Sequence, residues 1–526
     1  LLPADISIQA PPNLSPGVLP QLVAAGINDW GGVSPLTPDF VNPEAPWPHL
    51  DKLEDATEEA GKCLAERLTI YPRYIEDART WVDEALRTKL LRAVDADGLA
   101  RTDNWSPGSL LSPPREVLSQ LEHGSDRTVA DDLREIVAQA SSGQCLDEGQ
   151  VVRLFQARGN EIGYLCRAAD GLREEMKGDT ITYVVNRNIN YTNICYKGCQ
   201  FCAFAKGKQN ENLRGKPYDL SLEEIARRAH EGWMRGATEV CLQGGIHPSY
   251  TGQTYLDICH AIKAVCPDIH LHAFSPLEVD QGAETLGLSL AEFLSRLKDA
   301  GLGSLPGTAA EILDDEVRDV LCPDKLNTAR WFEVVKTAHA LGINTTSTIM
   351  YGHIDRPVNW ARHLLSLRAA QIESLRNGLG RFTEFVPLPF VHMEAPIYLR
   401  GNSRKGPTFR EALLMHAVAR LVLHPHIPNI QTSWVKMGHE GVSACLKSGV
   451  NDLGGTLMNE TISRAAGSAL GQELAPPEME TLIVHNSRHP EQRSAIYKGV
   501  GNERRAASFD AGELSPVNNM LMKRRK

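Results

Sequence analysis

Three cysteines in one short run, Cys195-Tyr-Lys-Gly-Cys199-Gln-Phe-Cys202, can do chemistry that no other stretch of the chain can. The spacing is Cys-x3-Cys-x2-Cys, and no fourth cysteine follows closely. Three thiolates hold three corners of a 4Fe-4S cluster and leave the fourth iron with an open position. Clusters that only carry electrons usually have four cysteine ligands, and an open position marks catalytic rather than structural metal. A short loop converges thiolates with little closure entropy, and Gly198 frees the backbone to wrap. Structural zinc fits less well, because it wants four ligands in paired short spacings. His230 would have to be the fourth, and nothing near it has finger spacing. The remaining cysteines (Cys63, Cys145, Cys166, Cys241, Cys259, Cys266, Cys322, Cys445) are scattered among apolar residues and read as small buried hydrophobes.

The elements that must position this loop begin at residue 180, where strand and helix patterns alternate. Strands are predicted at Ile181–Asn186, Glu239–Gln243, His270–Phe274, Asn344–Met350, Phe382–Leu388 and Ile430–Trp434. Ser221-Leu-Glu-Glu224 and Ser289-Leu-Ala-Glu292 are capping boxes that open two of the intervening helices. Such alternation implies a parallel sheet with right-handed crossovers. Closure into a TIM-type (β/α) barrel is the natural architecture, and an open doubly wound sheet is the alternative.

In a barrel the site lies at the carboxyl ends of the strands. The first strand delivers the cysteine loop and the second delivers Gln243, Gly244, Gly245 and His247. Paired glycines let backbone approach a ligand closely, although a plain turn would use them too. Later strand ends supply Glu278, Glu311, His353, Asp355, Glu384, Asn451 and Asp452. His247 and His353 are candidates for proton transfer or substrate binding, with buried structural histidines as the alternative. The acidic residues could equally cap the next helix.

The chain has 526 residues, 42% hydrophobic and 23% charged, with a net charge of −10. Nothing there points to nucleic acid or an anionic membrane as partner. No apolar run is long enough for a transmembrane helix. Oxygen-sensitive cluster chemistry and the cysteine usage point to a reducing, cytoplasmic compartment. An internal repeat is visible: Ile8-Gln9, Asn28-Asp-Trp-Gly-Gly32 and Arg67-Leu-Thr-Ile-Tyr71 recur as Ile430-Gln431, Asn451-Asp-Leu-Gly-Gly455 and Arg493-Ser-Ala-Ile-Tyr497. The offsets are 422, 423 and 426, which marks a duplicated module. Residues 1–75 then read as the end of a first module, 76–145 as a linker or helical adaptor, 146–500 as a complete second module and 501–526 as a disordered tail. By the same offset, a matching cysteine loop would lie upstream of Leu1, and the sequence reads as a fragment.

The cysteine loop resembles the motif of radical S-adenosylmethionine (SAM) enzymes, and the aromatic Phe201 before the third cysteine matches their usual pattern. The stretches Asn188–Phe204, Val240–Pro248, His272–Pro276, Glu384–His392, Gln431–Lys436 and Asn451–Gly455 together resemble the FO synthase family of deazaflavin biosynthesis. Residues 145 to about 500 are similar to its tyrosine 4-hydroxyphenyl-transferase half, and 1–75 to the end of its ring-closing half. The resemblance implies that Cys195, Cys199 and Cys202 hold a 4Fe-4S cluster. It also implies that Gln243, Gly244, Gly245 and Glu311 contact SAM beside Phe201. A 5'-deoxyadenosyl radical would break the Cα–Cβ bond of L-tyrosine, and the 4-hydroxybenzyl fragment would join 5-amino-6-(D-ribitylamino)uracil as a glycine-derived imine leaves. A ferredoxin or flavodoxin would supply electrons. Without the first cysteine loop, ring closure would be lacking. His247, His353, Glu384, Asn451 and Asp452 are the candidates for substrate contact, and no acid–base catalyst is singled out. Sister radical SAM enzymes (a tyrosine lyase or aminofutalosine synthase) and a non-catalytic iron–sulfur electron carrier are the alternatives.

Overall fold

The computed structural model describes residues 6–205 and 216–517. Its centre is a parallel sheet of six strands in sequence order: β2 (Asn186–Asn190), β3 (Glu239–Gln243), β4 (His270–Ala273), β5 (Leu302–Leu305), β6 (Asn344–Tyr351) and β7 (Phe382–Pro389). β1 (Thr180–Val184) runs directly into β2, with only Val185 between. Parallel bridges carry the hydrogen bonding onward from Phe385 to Ile430 and from Gln431 to Asp452. β8 (Asp452–Gly455) then pairs with β1, and Met458 with Arg187. The sheet thus curls into the expected TIM-type (β/α) barrel. The expected strand Ile430–Trp434 contributes little more than its two bridges. Trp434 instead opens a helix, Trp434–Cys445, and its indole N–H donates to the Gly455 carbonyl at 2.9 Å.

Alternation along the strands decides what faces where. Val240, Leu242, Leu271 and Ala273 are fully buried against the helices. Their neighbours Asn188, Cys241, Gln243, His270 and His272 are only half buried, although a ring of helices surrounds the sheet. Their remaining exposure is to the lumen. Barrel interiors are usually filled by branched apolar side chains; this wall is polar and only partly buried.

β9 (His489–Arg493) lies on the other side of β1 and delivers Arg493 to the barrel interior. The stretch around Asp95 docks onto the barrel module through buried charges. Arg158 and Arg410 both reach Asp95 and Asp97, at 2.6 to 3.3 Å. Residues 6–75 form a small unit around Val23, Trp30 and Leu53. The expected disordered tail from 501 is instead helical over Asn502–Phe509, because it has partners: Arg504 stacks on Trp233 and Arg505 pairs with Glu480. Residues 518–526 lie outside the described residues.

Candidate active site

The cysteine loop leaves the end of β2 and is tied down by the ends of β3 and β4. The Gly245 N–H donates to the Thr192 carbonyl at 2.9 Å, and the Tyr196 N–H to the Ile246 carbonyl at 3.1 Å. A Cβ on Gly244 would stand 2.2 Å from the Tyr191 ring, and one on Gly245 2.3 Å from the Ile194 carbonyl. The glycines expected to admit a ligand therefore admit the cysteine loop itself. Glu278, fully buried, clamps the same corner. It accepts from the Ser275 N–H and hydroxyl at 2.6 Å, from the Gly244 N–H at 3.2 Å and from the Tyr191 hydroxyl.

The far side of the loop rests on Leu321–Lys325. The Gln200 N–H donates to the Leu321 carbonyl at 2.9 Å, and the Gly198 N–H to the Asp324 carboxylate at 3.2 Å. Cys322 is buried in an apolar cluster on which Cys199 and Phe201 pack. The Lys325 ammonium pairs with Glu311 at 2.5 Å and sits 5.1 Å over the Phe201 ring. Burial works against its charge, but Cys199 and Glu311 beside it raise its pKa above the ordinary lysine range. Neither Lys325 nor Cys322 is marked by local spacing, so sequence reasoning gave neither a place at the loop. Backbone in the left-handed region at Phe274 (φ 63°), Ala309 (φ 62°) and Glu311 (φ 44°) follows β4 and β5. Strain of this kind gathers at functional sites.

All three loop cysteines are free and partly buried. Burial pushes the Cys199 thiol up to about 12 and also raises Cys202, whose sulfur accepts the Ala205 N–H at 3.4 Å. Bound iron displaces such protons, and N–H groups aimed at sulfur tune iron–sulfur sites. Among the described residues, no group of three or more His, Cys, Asp or Glu could hold a single metal ion. The donor set of free thiols on one glycine-bearing loop fits a cluster instead, with Lys325 beside it to offset negative charge.

The remaining candidates divide. His247, buried near Gly245, accepts from the Ser249 N–H at 3.1 Å and stacks on Tyr250. His353 is fully buried: its Nε2 bonds the Met350 carbonyl at 3.0 Å, its Nδ1 accepts from the Ile354 N–H at 2.8 Å, and the Asp355 carboxylate lies 3.0 Å from that Nδ1. Asp355 accepts from Gly352, His353 and Trp360, and these partners, with Arg404, hold its pKa below the ordinary range despite burial. It knots the turn after β6. Asn451 is committed to Arg420 at 2.6 Å and the Ile430 N–H at 2.9 Å. Asp452 takes Arg493 at 2.5 Å and 2.9 Å. Glu384 takes the same guanidinium at 3.1 Å and also the Tyr497 hydroxyl. Asn451 and Asp452 are thus occupied by the fold. Glu384 lies inside the barrel, nearer the end of β7 opposite the cysteine loop.

The barrel with its mouth-bound cysteine loop defines a radical SAM enzyme. Residues 189–364 match the radical SAM superfamily, whose members work with a 4Fe-4S cluster and SAM, and residues 380–499 match the CofH/MqnC C-terminal region. The fold resembles that of the hydrogenase maturase HydG of Carboxydothermus hydrogenoformans, with a TM-score of 0.54, 18% identity, 73% of this chain and 86% of that one covered. The 5-amino-6-(D-ribitylamino)uracil–L-tyrosine 4-hydroxyphenyl transferase of Methanopyrus kandleri is 46% identical over 366 residues, which cover 70% of this chain and 96% of that protein. The chain belongs to that transferase family. The FO synthase of Streptomyces coelicolor is 44% identical over 97% of this chain, which spans 63% of that relative's length.

Proposed function

We propose that this chain transfers the 4-hydroxybenzyl group of L-tyrosine to 5-amino-6-(D-ribitylamino)uracil, a step toward the deazaflavin FO. The observation that carries this reading is the match over nearly the full length of the Methanopyrus transferase. Cys195, Cys199 and Cys202 would hold the cluster, which when bound supplies the electron that cleaves SAM. The backbone of Gln243–Gly245, Glu311 and the ring of Phe201 border the place where SAM would bind. The polar lumen below takes the two substrates, and the barrel keeps a carbon radical from solvent. A low-potential carrier such as ferredoxin or flavodoxin, and a reducing compartment, belong to the same reading. No described helix is long and apolar enough to cross a membrane.

The test is anaerobic reconstitution with dithionite, SAM, tyrosine and the aminouracil. Deoxyadenosine that depends on tyrosine, with a benzylated uracil adduct, is expected. Deoxyadenosine without adduct would point to a lyase or other sister enzyme. Absence of deoxyadenosine would overturn the reading.

A further inference from the structure

Two histidines and a serine inside the barrel take no part in the contacts described so far. His270 and His272 stand on the inner face of β4, and Ser304 on β5 is in register with His272. The Ser304 hydroxyl oxygen lies 2.7 Å from His270 Nε2 and 2.7 Å from His272 Nδ1. A hydroxyl has one hydrogen to give, so it accepts from one ring and donates to the other. A proton shift at one end of this line is therefore answered at the other. Burial lowers His270 to about 4 and His272 to about 3. Neither ring stores a proton at neutral pH, so one that enters the line must leave it.

Glu239 on β3, in register with His270, and Lys263 on the helix Gly252–Val265 are the charges that face His270. Arg493 on β9 faces His272, and the Cys241 thiol stands in register with it. His272 is partly buried on the inner face, and its Nε2 has no hydrogen-bond partner among the described residues. On the neighbouring wall, Asn188, in register with Cys241, keeps a buried side-chain oxygen without a partner. Buried polar groups are normally satisfied, so these two acceptors suit a molecule that donates N–H or O–H groups.

The transfer reaction has a proton to dispose of. Tyrosine and the aminouracil together carry two hydrogens more than the adduct and the glycine-derived imine. One leaves as an atom on 5'-deoxyadenosine. The other leaves as a proton, and the electron it leaves behind equals the one consumed in cleaving SAM. We propose that His272, Ser304 and His270 form the exit line for that proton, with His272 Nε2 taking it from the bound aminouracil. The Nδ1 hydrogen of His272 passes to Ser304, the serine hydrogen passes to His270 Nε2, and His270 Nδ1 releases its own to water at the amino end of the barrel. This inference rests on the transferase reading.

Ser304→Ala tests it, because it breaks the line and leaves the lumen shape. Adduct formation is expected to slow about tenfold or more, within the range of a lost acid–base group. Deoxyadenosine per adduct is expected to rise, and Ser304→Thr to restore the coupling. In the folded apo protein, the same alanine variant should shift the nitrogen NMR signals of both His270 and His272. If Ser304→Ala does not fold, His270→Gln breaks the same line. Adduct formation at the wild-type rate in either variant, with an unchanged pH profile, would overturn the proposal. A wild type that makes deoxyadenosine but no adduct would overturn the transferase reading, and the exit line with it.

Discussion

The same constellation occurs twice in this chain, once inside the barrel and once outside it. In residues 6–75, Asp29 holds Arg67 at 2.7 Å and 3.1 Å and takes the Gly31 N–H at 2.5 Å. In the barrel, Asp452 holds Arg493 at 2.5 Å and 2.9 Å and takes the Gly454 N–H at 2.7 Å. Arg67 lies 4.3 Å over the Tyr71 ring, and Arg493 lies 4.0 Å over that of Tyr497. Even the preceding asparagines correspond: Asn28 accepts the Ile8 N–H and Asn451 the Ile430 N–H. The difference is the surroundings. The Arg67 side chain is 20% exposed, that of Arg493 only 4%, and Arg493 also meets Glu384. Asp452 and Arg493 fasten the closing turn of the barrel, as Asp29 and Arg67 fasten the corresponding turn in residues 6–75. Glu384 is a further partner of Arg493 that Arg67 lacks among the described residues.

The largest expected effect separates the two regions by their cysteines. Cys199→Ala should abolish the 4Fe-4S absorbance after reconstitution, whereas Cys63→Ala, in the first region, should leave it intact. Cys322→Ala sharpens the contrast, since that thiol stands beside the loop. Retained absorbance there is expected; its loss would mean a fourth protein ligand and no open iron. Next in size, Arg493→Ala should cost about 3–5 kcal/mol, because it leaves buried carboxylates unpaired. Arg67→Ala should cost about 1 kcal/mol or less, as for a partly exposed pair. Equal losses in chemical denaturation would break the comparison.

The smallest effect is one of pH. Burial raises Glu384 to about 7, with Arg493 opposing and Asp452 adding to the rise. The folded protein then binds this proton more tightly than the unfolded chain. Its contribution to stability is full below about pH 4.3, the unfolded value, and fades as pH rises through about 7. Glu384→Gln should flatten that slope, and Arg67→Ala should leave it unchanged. Melting temperatures between pH 4.5 and 7.5 would decide.

Much of this was legible in the sequence. Strands β3, β6 and β7 carry β-branched or apolar runs, and the cysteine spacing fixed the chemistry. The repeat was visible as a pattern of matching residues, although which of them bond to one another was not. Two kinds of feature escaped. Lys325 and Cys322 reach the loop from a distant segment, so no local pattern marks them. Ile430–Trp434 looked like a strand because Ile430 and Thr432 favour one, but Trp434 is claimed by a helix whose indole must reach Gly455. The polar inner faces of β2 to β5 show only when alternation is placed on a closed barrel.

Carbon transfer from tyrosine is what separates this transferase from its sister enzymes. Reconstituted protein given SAM, dithionite, the aminouracil and tyrosine labelled with carbon-13 in its ring tests it most directly by mass spectrometry. The whole labelled ring is expected in the uracil adduct. Label found only in free 4-hydroxybenzyl products, with the uracil unchanged, would contradict it.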